Sequence, residues 1–469
     1  MDEQNLRSAR SASPTGKHRR WSVASVALAL AAAVLLQGTG YPAAAAVTGS
    51  TASVWPGNGE VAVASGGQLY LLDNAGTASS LGGPGVVSAP SWSADGKWVA
   101  FLRTPAAPAG KPWTSENSVL WVARANGTDA HPFSVANGDV TQFEWSPARA
   151  GENLAFSVSY PPQYTSRVFL ATPVTTHART FASFDELIGF SWSPGGNSLA
   201  ISYRTSPGAG FEGVLEISPL SGASPRTIYT LSQGGYVELA TWWPNGDGII
   251  FWSDPAGSAS IAADGLSLES LDLATGKATN MATTLTYTNW LAWSPDGRTL
   301  AVVDGGNRSI WASGKHVELC AVPAAACHAA PLPAGPVISL EPAWTAGGSL
   351  LFVVAPGTKA GAFGPPPDVP VGAGDPYSSR TVTAWYGAQR VYSLGTGSGK
   401  ATLLAATGVG AHTPTATPRG LLYVRGERLW YLPTGGSAPL AIAGGLQSPS
   451  PYGNYYGYID WSEDYAWHK

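Results

Sequence analysis

Two sets of residues in this chain have the types and spacing to do chemistry. The first is His316, Cys320, Cys327 and His328, an H-x3-C-x6-C-H string. Thiolate and imidazole are zinc ligands, so the string raises the question of a metal site. Its spacing matches none of the common zinc patterns. Two cysteines on strands joined by a short loop also lie close enough to bridge. In an exported chain a Cys320–Cys327 disulfide is the expected pairing, with the two histidines left at the surface. The second set is Asp139, Gln142, Asp185, Glu186, Glu238, Asn289, Glu341 and His412. Each stands a few residues ahead of a recurring Trp or, for His412, ahead of its counterpart Ala416. The set is acidic and amide-rich in a chain where only 12% of residues are charged. Gathered round one cavity, such groups would bind a cation, a sugar or a peptide amine. Three close carboxylates would then raise one another's pKa values. Scattered, the same residues are ordinary polar loop residues solvated by water.

What must position them is a repeat. Residues 291–303 read LAWSPDGRTLAVV. The pattern returns as PSWSADGKWVAF at 90–101, FEWSPARAGENLAF at 143–156 and FSWSPGGNSLAI at 190–201. It returns again as ATWWPNGDGIIF at 240–251 and AWTAGGSLLFV at 343–353. Weaker copies flank these, VWPGNGEVAV at 54–63 and ATPRGLLYV at 416–424. The anchors are Trp55, Trp92, Trp145, Trp192, Trp242, Trp293, Trp344 and Ala416, spaced by about fifty residues over most of the chain. That is a propeller-blade period. Within a unit the Trp ends one strand and the Pro sits where a missing N–H does no harm. Asp296-Gly297 makes a hairpin turn, because both types tolerate positive φ. LAVV then reads as a strand buried on both faces. Two more short strands complete each unit, as in LSLESLDLATG and KATNMAT after Trp242. A buried indole N–H needs a partner, and a nearby turn carbonyl is the expected one.

Composition agrees. The chain has 57 Gly, 37 Pro and 19 Trp, the mark of a turn-dense all-β protein. Four antiparallel strands per unit make one blade of a β-propeller. Eight units give eight blades, or seven if the two weak units share one. The tail YGYIDWSEDYAW at 456–467 resembles one more first strand ending at Trp461-Ser462, placed to pair with the blade around residues 59–72. Burial is expected there for Tyr458 and Trp461. A Pro/Gly-rich insertion at 355–383 reads as an exposed loop.

The string Trp-Ser-Pro-Asp-Gly-Arg-x-Leu-Ala at 293–301 resembles the signature of TolB-like, WD-repeat-like propeller repeats. The resemblance covers about 51–445 and is strongest over the six units anchored from Trp92 to Trp344. It implies a propeller of the kind also carried by prolyl-oligopeptidase-type enzymes. The repeats begin almost directly after the apolar run, so a TolB-type N-terminal domain is not expected, and a place in an outer-membrane Tol–Pal system does not follow.

Several activities find no support. No G-x-S-x-G elbow occurs for a hydrolase. No Walker string, dinucleotide fingerprint or EF-hand spacing occurs either. The net charge of −4 offers no basic face for nucleic acid. The basic cluster Arg7, Arg10, Lys17, Arg19 and Arg20 precedes an apolar run at 21–36, and Ala44-Ala45-Ala46 offers a cleavage site. This reads as a signal peptide over 1–46, with the mature propeller over 47–469. The alternative is a membrane anchor at 21–36, which is short for a span. After cleavage no membrane span is expected, and the protein is expected to be secreted or in the extracytoplasmic envelope. The leading expectation is a monomeric, non-catalytic module binding a protein or small ligand, with no cofactor. The alternative is a lactonase- or lyase-type enzyme holding a divalent cation on the channel-mouth carboxylates.

Overall fold

The computed structural model describes residues 55–468, with gaps at 56, 58, 74–77, 106–116, 134, 136–137, 148–152, 161–164, 206–210, 233, 360–363, 367–368, 370–375, 396 and 447–454. The expected signal segment over 1–46, its alternative anchor, Tyr452 and part of the 355–383 insertion lie outside the described residues. Eight four-stranded antiparallel sheets make eight blades of a β-propeller. Among the described residues no helix is long and apolar enough to cross a membrane.

Each blade begins with an innermost strand that ends at the repeat anchor. These strands are Val86–Trp92 in blade 2, Asp139–Trp145 in blade 3, Glu186–Trp192 in blade 4 and Tyr236–Trp242 in blade 5. They continue with Leu291–Trp293 in blade 6, Val337–Trp344 in blade 7 and Ala411–Thr417 in blade 8. Blade 1 differs. Its outer strands are Glu60–Ser65, Gln68–Leu72 and Ala78–Leu81, but its innermost strand is Tyr465–His468 from the C-terminus. The tail does pair with the first blade, as expected, but a few residues later than Trp461. Trp461–Asp464 forms a single 3-10 turn, and Trp467 pairs with Val61. Trp92 pairs with Val99 and Trp293 with Leu300 in the same way. Trp467 is therefore the anchor of blade 1. Trp55 is buried instead against Tyr431 of blade 8, with ring centroids 4.8 Å apart.

The hairpin string behaves as its residues require. Ser294 N–H donates to the Thr299 carbonyl at 2.8 Å, and the Thr299 N–H donates to Ser294 Oγ at 3.0 Å. Gly297 alone takes the left-handed conformation, at φ +68°. Asp296 does not. Its carboxylate accepts from Ser294 Oγ at 2.6 Å and from Arg298 N–H at 3.1 Å, which fixes the turn from the side. The following strand is fully buried at Leu300, Ala301, Val302 and Val303. Leu300 and Val302 pack into one cluster, Ala301 and Val303 into another. Alternate residues thus face opposite neighbours, each side chain contributing about 1.5–3 kcal/mol for the larger ones.

The anchor indoles tie the blades together. Trp92 Nε1 donates to the Ala466 carbonyl at 3.2 Å, Trp145 Nε1 to Ser91 at 3.0 Å and Trp192 Nε1 to Glu144 at 3.0 Å. Trp242 Nε1 reaches the Ser191 carbonyl at 3.4 Å, and Trp344 Nε1 the Ala292 carbonyl at 3.0 Å. Trp293 Nε1 donates to Thr241 Oγ1 at 3.4 Å. Every acceptor immediately precedes the anchor of the previous blade. The partner is thus a strand of the neighbouring sheet, not a carbonyl of the local turn. A turn lies beside its own Trp, whereas the stacked sheet offers an acceptor over the ring edge.

The segment expected as an exposed loop over 355–383 is partly packed. Its start lies in the strand Leu350–Pro356 and its end in the helix Ser379–Tyr386. Thr358, Val369 and Val382 are buried. Trp385 of the helix meets Trp311 edge-on at 5.8 Å. The apolar helix face, spaced at 382, 385 and 386, supplies the burial that the Pro/Gly-rich composition conceals.

Two outcomes are expected from these contacts. Trp192→Phe keeps an aromatic ring but removes the indole donor to Glu144 and part of the buried volume, and guanidinium melts should show a loss of about 1 kcal/mol or more. Truncation after Asp464 removes the innermost strand of blade 1 and bares the Glu60–Ser65 edge. Its melting temperature should fall far more than that of Trp192→Phe, with self-association visible by size-exclusion chromatography.

Candidate functional site at the channel mouth

The innermost strands start at one end of the central channel, and a bulge re-aims side chains in most of them. The pairing register slips between Ser88 and Ser91, Val140 and Gln142, Leu187 and Gly189, and Leu239 and Thr241. It slips again between Leu340 and Ala343 and between His412 and Thr415. Ala89, Glu341 and Thr413, each three residues before its anchor, are left-handed at φ +50°, +51° and +50°. Non-Gly residues pay strain there, and bulges of this kind turn side chains toward a neighbouring element.

Most of the expected site residues act as struts between blades. Asp139 Oδ1 accepts from Ser118 N–H of blade 2 at 2.8 Å. Gln142 donates to the Phe190 carbonyl at 2.7 Å and accepts from the Phe190 N–H at 3.2 Å. Glu186 pairs with Arg204 at 3.1 Å, both largely buried, and Arg204 also donates to the Gly234 carbonyl of blade 5 at 3.0 Å. Glu341 is buried and accepts from the Thr413 N–H of blade 8 at 2.5 Å. Asp185 is exposed in a bend. Burial raises Glu238 to about 7, opposed by a hydrogen bond from Thr286. Burial likewise pulls His412 down to about 3, so its ring is neutral. That ring lies between Tyr386 and Trp461, with centroids at 4.8 and 5.6 Å.

The tail that closes the ring also crosses the mouth. Tyr458 stacks on Tyr287 with centroids 3.6 Å apart and donates to Asn289 Oδ1 at 2.9 Å. Asn289 in turn donates to Asp460 Oδ1 at 3.2 Å. Tyr386 accepts from the Ile459 N–H at 3.0 Å, and Tyr465 donates to the Thr413 carbonyl at 2.8 Å. The tail therefore spans blades 6, 7 and 8. Trp461 is buried and Tyr458 half-buried.

This crossing brings in carboxyls that the sequence reading missed. Asp464 is 1% exposed, and neither of its oxygens has a hydrogen-bond partner. Burial, then Glu463, then Asp460 push it well above the carboxylate range. Glu463 is exposed to solvent, and the protein packed around it, together with Asp460, shifts its carboxyl upward. Burial takes Glu341 to about 7, and Asp460 again contributes. Asp460 itself is raised by burial against several hydrogen bonds. No Lys or Arg appears among the groups acting on these four. The signal was present: Asp464 stands three residues before Trp467, as Glu341 does before Trp344. Placing the first anchor at Trp55 hid it.

Asp185, Glu186, Glu238 and Glu341 do not converge. Among the described residues no three of them bring ligand atoms within 4.8 Å of one another. Cys320 and Cys327 face each other across a hairpin and are disulfide-bonded, and His328 is exposed.

No family model matches the chain, and no curated protein matches it. Solved structures share its fold. A dipeptidyl peptidase 4 from Porphyromonas gingivalis aligns at TM-score 0.51 and 11% identity, over 85% of this chain and 61% of that one. A puromycin hydrolase aligns at 0.48 and 13% identity, over 80% and 55%. A putative TolB from Agrobacterium tumefaciens aligns at 0.32 and 13%, over 74% and 88%. This chain spans less than two thirds of either of the two hydrolases. At such identities the likeness shows the propeller fold alone.

The raised carboxyls carry a sign. In the fold Glu238 and Glu341 hold protons up to about pH 7, against an ordinary 4.5. The unfolded chain releases them sooner, so stability should fall as pH rises from 4.5 through 7. His412 acts oppositely, costing stability as pH drops below 6.5 toward 3. Thermal melts of Glu238→Gln should lose part of the decline between pH 5 and 8, by about 1 kcal/mol or more.

Proposed function

We propose that this chain is a non-catalytic binding propeller whose ligand presents a cationic group, an amine or guanidinium, to the channel mouth. The observation that carries the reading is the unpartnered Asp464 behind two neighbouring carboxyls. Glu463 is exposed, Asp460 is half-buried and Asp464 is fully buried, so carboxyl groups run from solvent to interior within five residues, and the buried one keeps its proton until a cation arrives. Desolvated carboxyls without a counter-charge are costly, and an incoming cation relieves that cost. Glu341 lies within electrostatic reach of Asp460 and adds a fourth carboxyl, on blade 7, that ionises near pH 7.

A metal-assisted enzyme needs three converging ligands, and the four carboxylates first considered are committed to separate blades or to Arg204. The binding reading is therefore preferred. Reading residues 1–46 as an export signal would place the protein outside the cytoplasm, meeting a protein or small-molecule partner there.

Spermidine is a suitable probe, titrated calorimetrically into the full chain at pH 6 and pH 8. Binding should strengthen about tenfold at pH 8, as carboxyls with values near 7 ionise. Glu463→Gln and Asp464→Asn should each weaken it about tenfold at pH 8. No binding to the wild-type chain at millimolar spermidine, or equal binding by both variants, would overturn the reading.

A further inference from the structure

We infer that Asp304, His316 and Glu318 form a zinc site on blade 6, clasping the neck of the loop that touches the tail. The inference does not rest on the channel reading.

The three side chains meet by strand geometry. Asp304 ends the strand Thr299–Asp304, and His316 begins the strand His316–Ala321. The two are directly opposite in the ladder, and Glu318 is two residues further along the second strand. Directly paired residues and their i+2 neighbours share a face. His316 Nε2 lies 3.1 Å from Glu318 Oε1 and 3.9 Å from Asp304 Oδ2. The three ligand atoms all fall within 4.8 Å of one another. A zinc ion with bonds of about 2.1 Å sets tetrahedral ligand atoms roughly 3.4 Å apart, and these separations bracket that value.

The outer contacts orient the ligands. His316 Nδ1 is 2.7 Å from the Gly314 carbonyl. A carbonyl only accepts, so Nδ1 carries the hydrogen and it is Nε2 that faces the two carboxylates. An acceptor facing acceptors is satisfied by a proton or by a metal ion, and neutral imidazole with a backbone-held Nδ1 is the usual metal-binding form. Asp304 Oδ1 is held by the Thr283 N–H of blade 5 at 3.0 Å, which leaves Oδ2 for an ion. The Cys320–Cys327 disulfide pins the strand that carries His316 and Glu318 to its outer neighbour. Side-chain exposures of 30, 28 and 19% for His316, Asp304 and Glu318 leave an entry path and a position for water. The cysteines are not available as ligands, so the set is one nitrogen and two oxygens. That set favours zinc over calcium or magnesium, which prefer oxygen alone.

The position has a consequence. Asp304 and His316 are the two ends of the loop 305–315. Lys315 Nζ already organises that loop, donating to the carbonyls of Gly306, Asn307 and Ser309 at 3.0, 2.8 and 2.8 Å. The loop's Ile310 N–H donates to the Tyr456 carbonyl of the tail at 3.0 Å. A zinc ion at its neck would brace the tail where it begins to cross the mouth.

The test is calorimetric titration of zinc chloride into chelator-treated full-length protein at pH 7.5, with X-ray absorption on the loaded sample. One equivalent should bind, with one imidazole and oxygen ligands at the edge. His316→Ala and Glu318→Gln should weaken binding at least tenfold, while His328→Ala, on the same hairpin, should leave it unchanged. Glu318→Gln is nearly isosteric, and its unaltered melting temperature without zinc would exclude misfolding. Zinc should raise the wild-type melting temperature and not that of His316→Ala. No saturable zinc uptake would mean an imidazolium ion pair only and would overturn the site. So would uptake indifferent to His316→Ala and Glu318→Gln.

Discussion

The ring rests on one repeated interaction, an indole N–H of one blade reaching the residue just before the anchor of the previous blade, at its carbonyl in five cases and at the Thr241 hydroxyl in one. Net, such a bond is worth about 1 kcal/mol, but it fixes angle as well as contact, because the donor points along the ring plane. Apolar packing between sheets is non-directional and by itself would let blades slide. Six such links run from Trp92 to Trp344. At blade 8 the anchor is Ala416, which has no donor. Other groups take over there. Glu341 accepts from Thr413, and Tyr465 donates to the Thr413 carbonyl and meets Thr415 Oγ1 at 2.9 Å.

Closure and recognition share one segment. The strand Tyr465–His468 completes blade 1, and the ten residues before it carry the aromatic and acidic groups over the mouth. Burying Asp464 without a partner works against closure, while the sheet pairing to Glu60–Ser65 and the stacking of Tyr458 work for it. A cation that neutralised the carboxyls would favour the closed tail, so ligand binding and ring stability are linked through the same few residues.

The channel-mouth set shows how a polar pattern divides on folding. Gln142 and Glu341 sit at the same distance from their anchors as Asp464, and both reach the next blade. Asp464 has a shorter arm than either and is left unsatisfied. The zinc set on blade 6 divides differently again. His316 was legible as a metal-type residue, but its partners Asp304 and Glu318 were not, because neither belongs to a spacing pattern along the chain.

The amino-acid sequence alone determined the blade. Trp, Pro, Gly and alternating apolar runs encode a strand end, a turn and a buried strand through local sterics and periodicity, and repetition at about fifty residues encodes the propeller. Eight blades were legible for the same reason. The sequence could not say which strand completes blade 1, since Trp55 and Trp467 are equally good local anchors. It also could not say that the 379–386 helix packs inward, or that Asp460 comes within electrostatic reach of Glu341. Those outcomes depend on contacts between residues far apart in the chain, and only ring closure brings the two ends close enough for one of them to win.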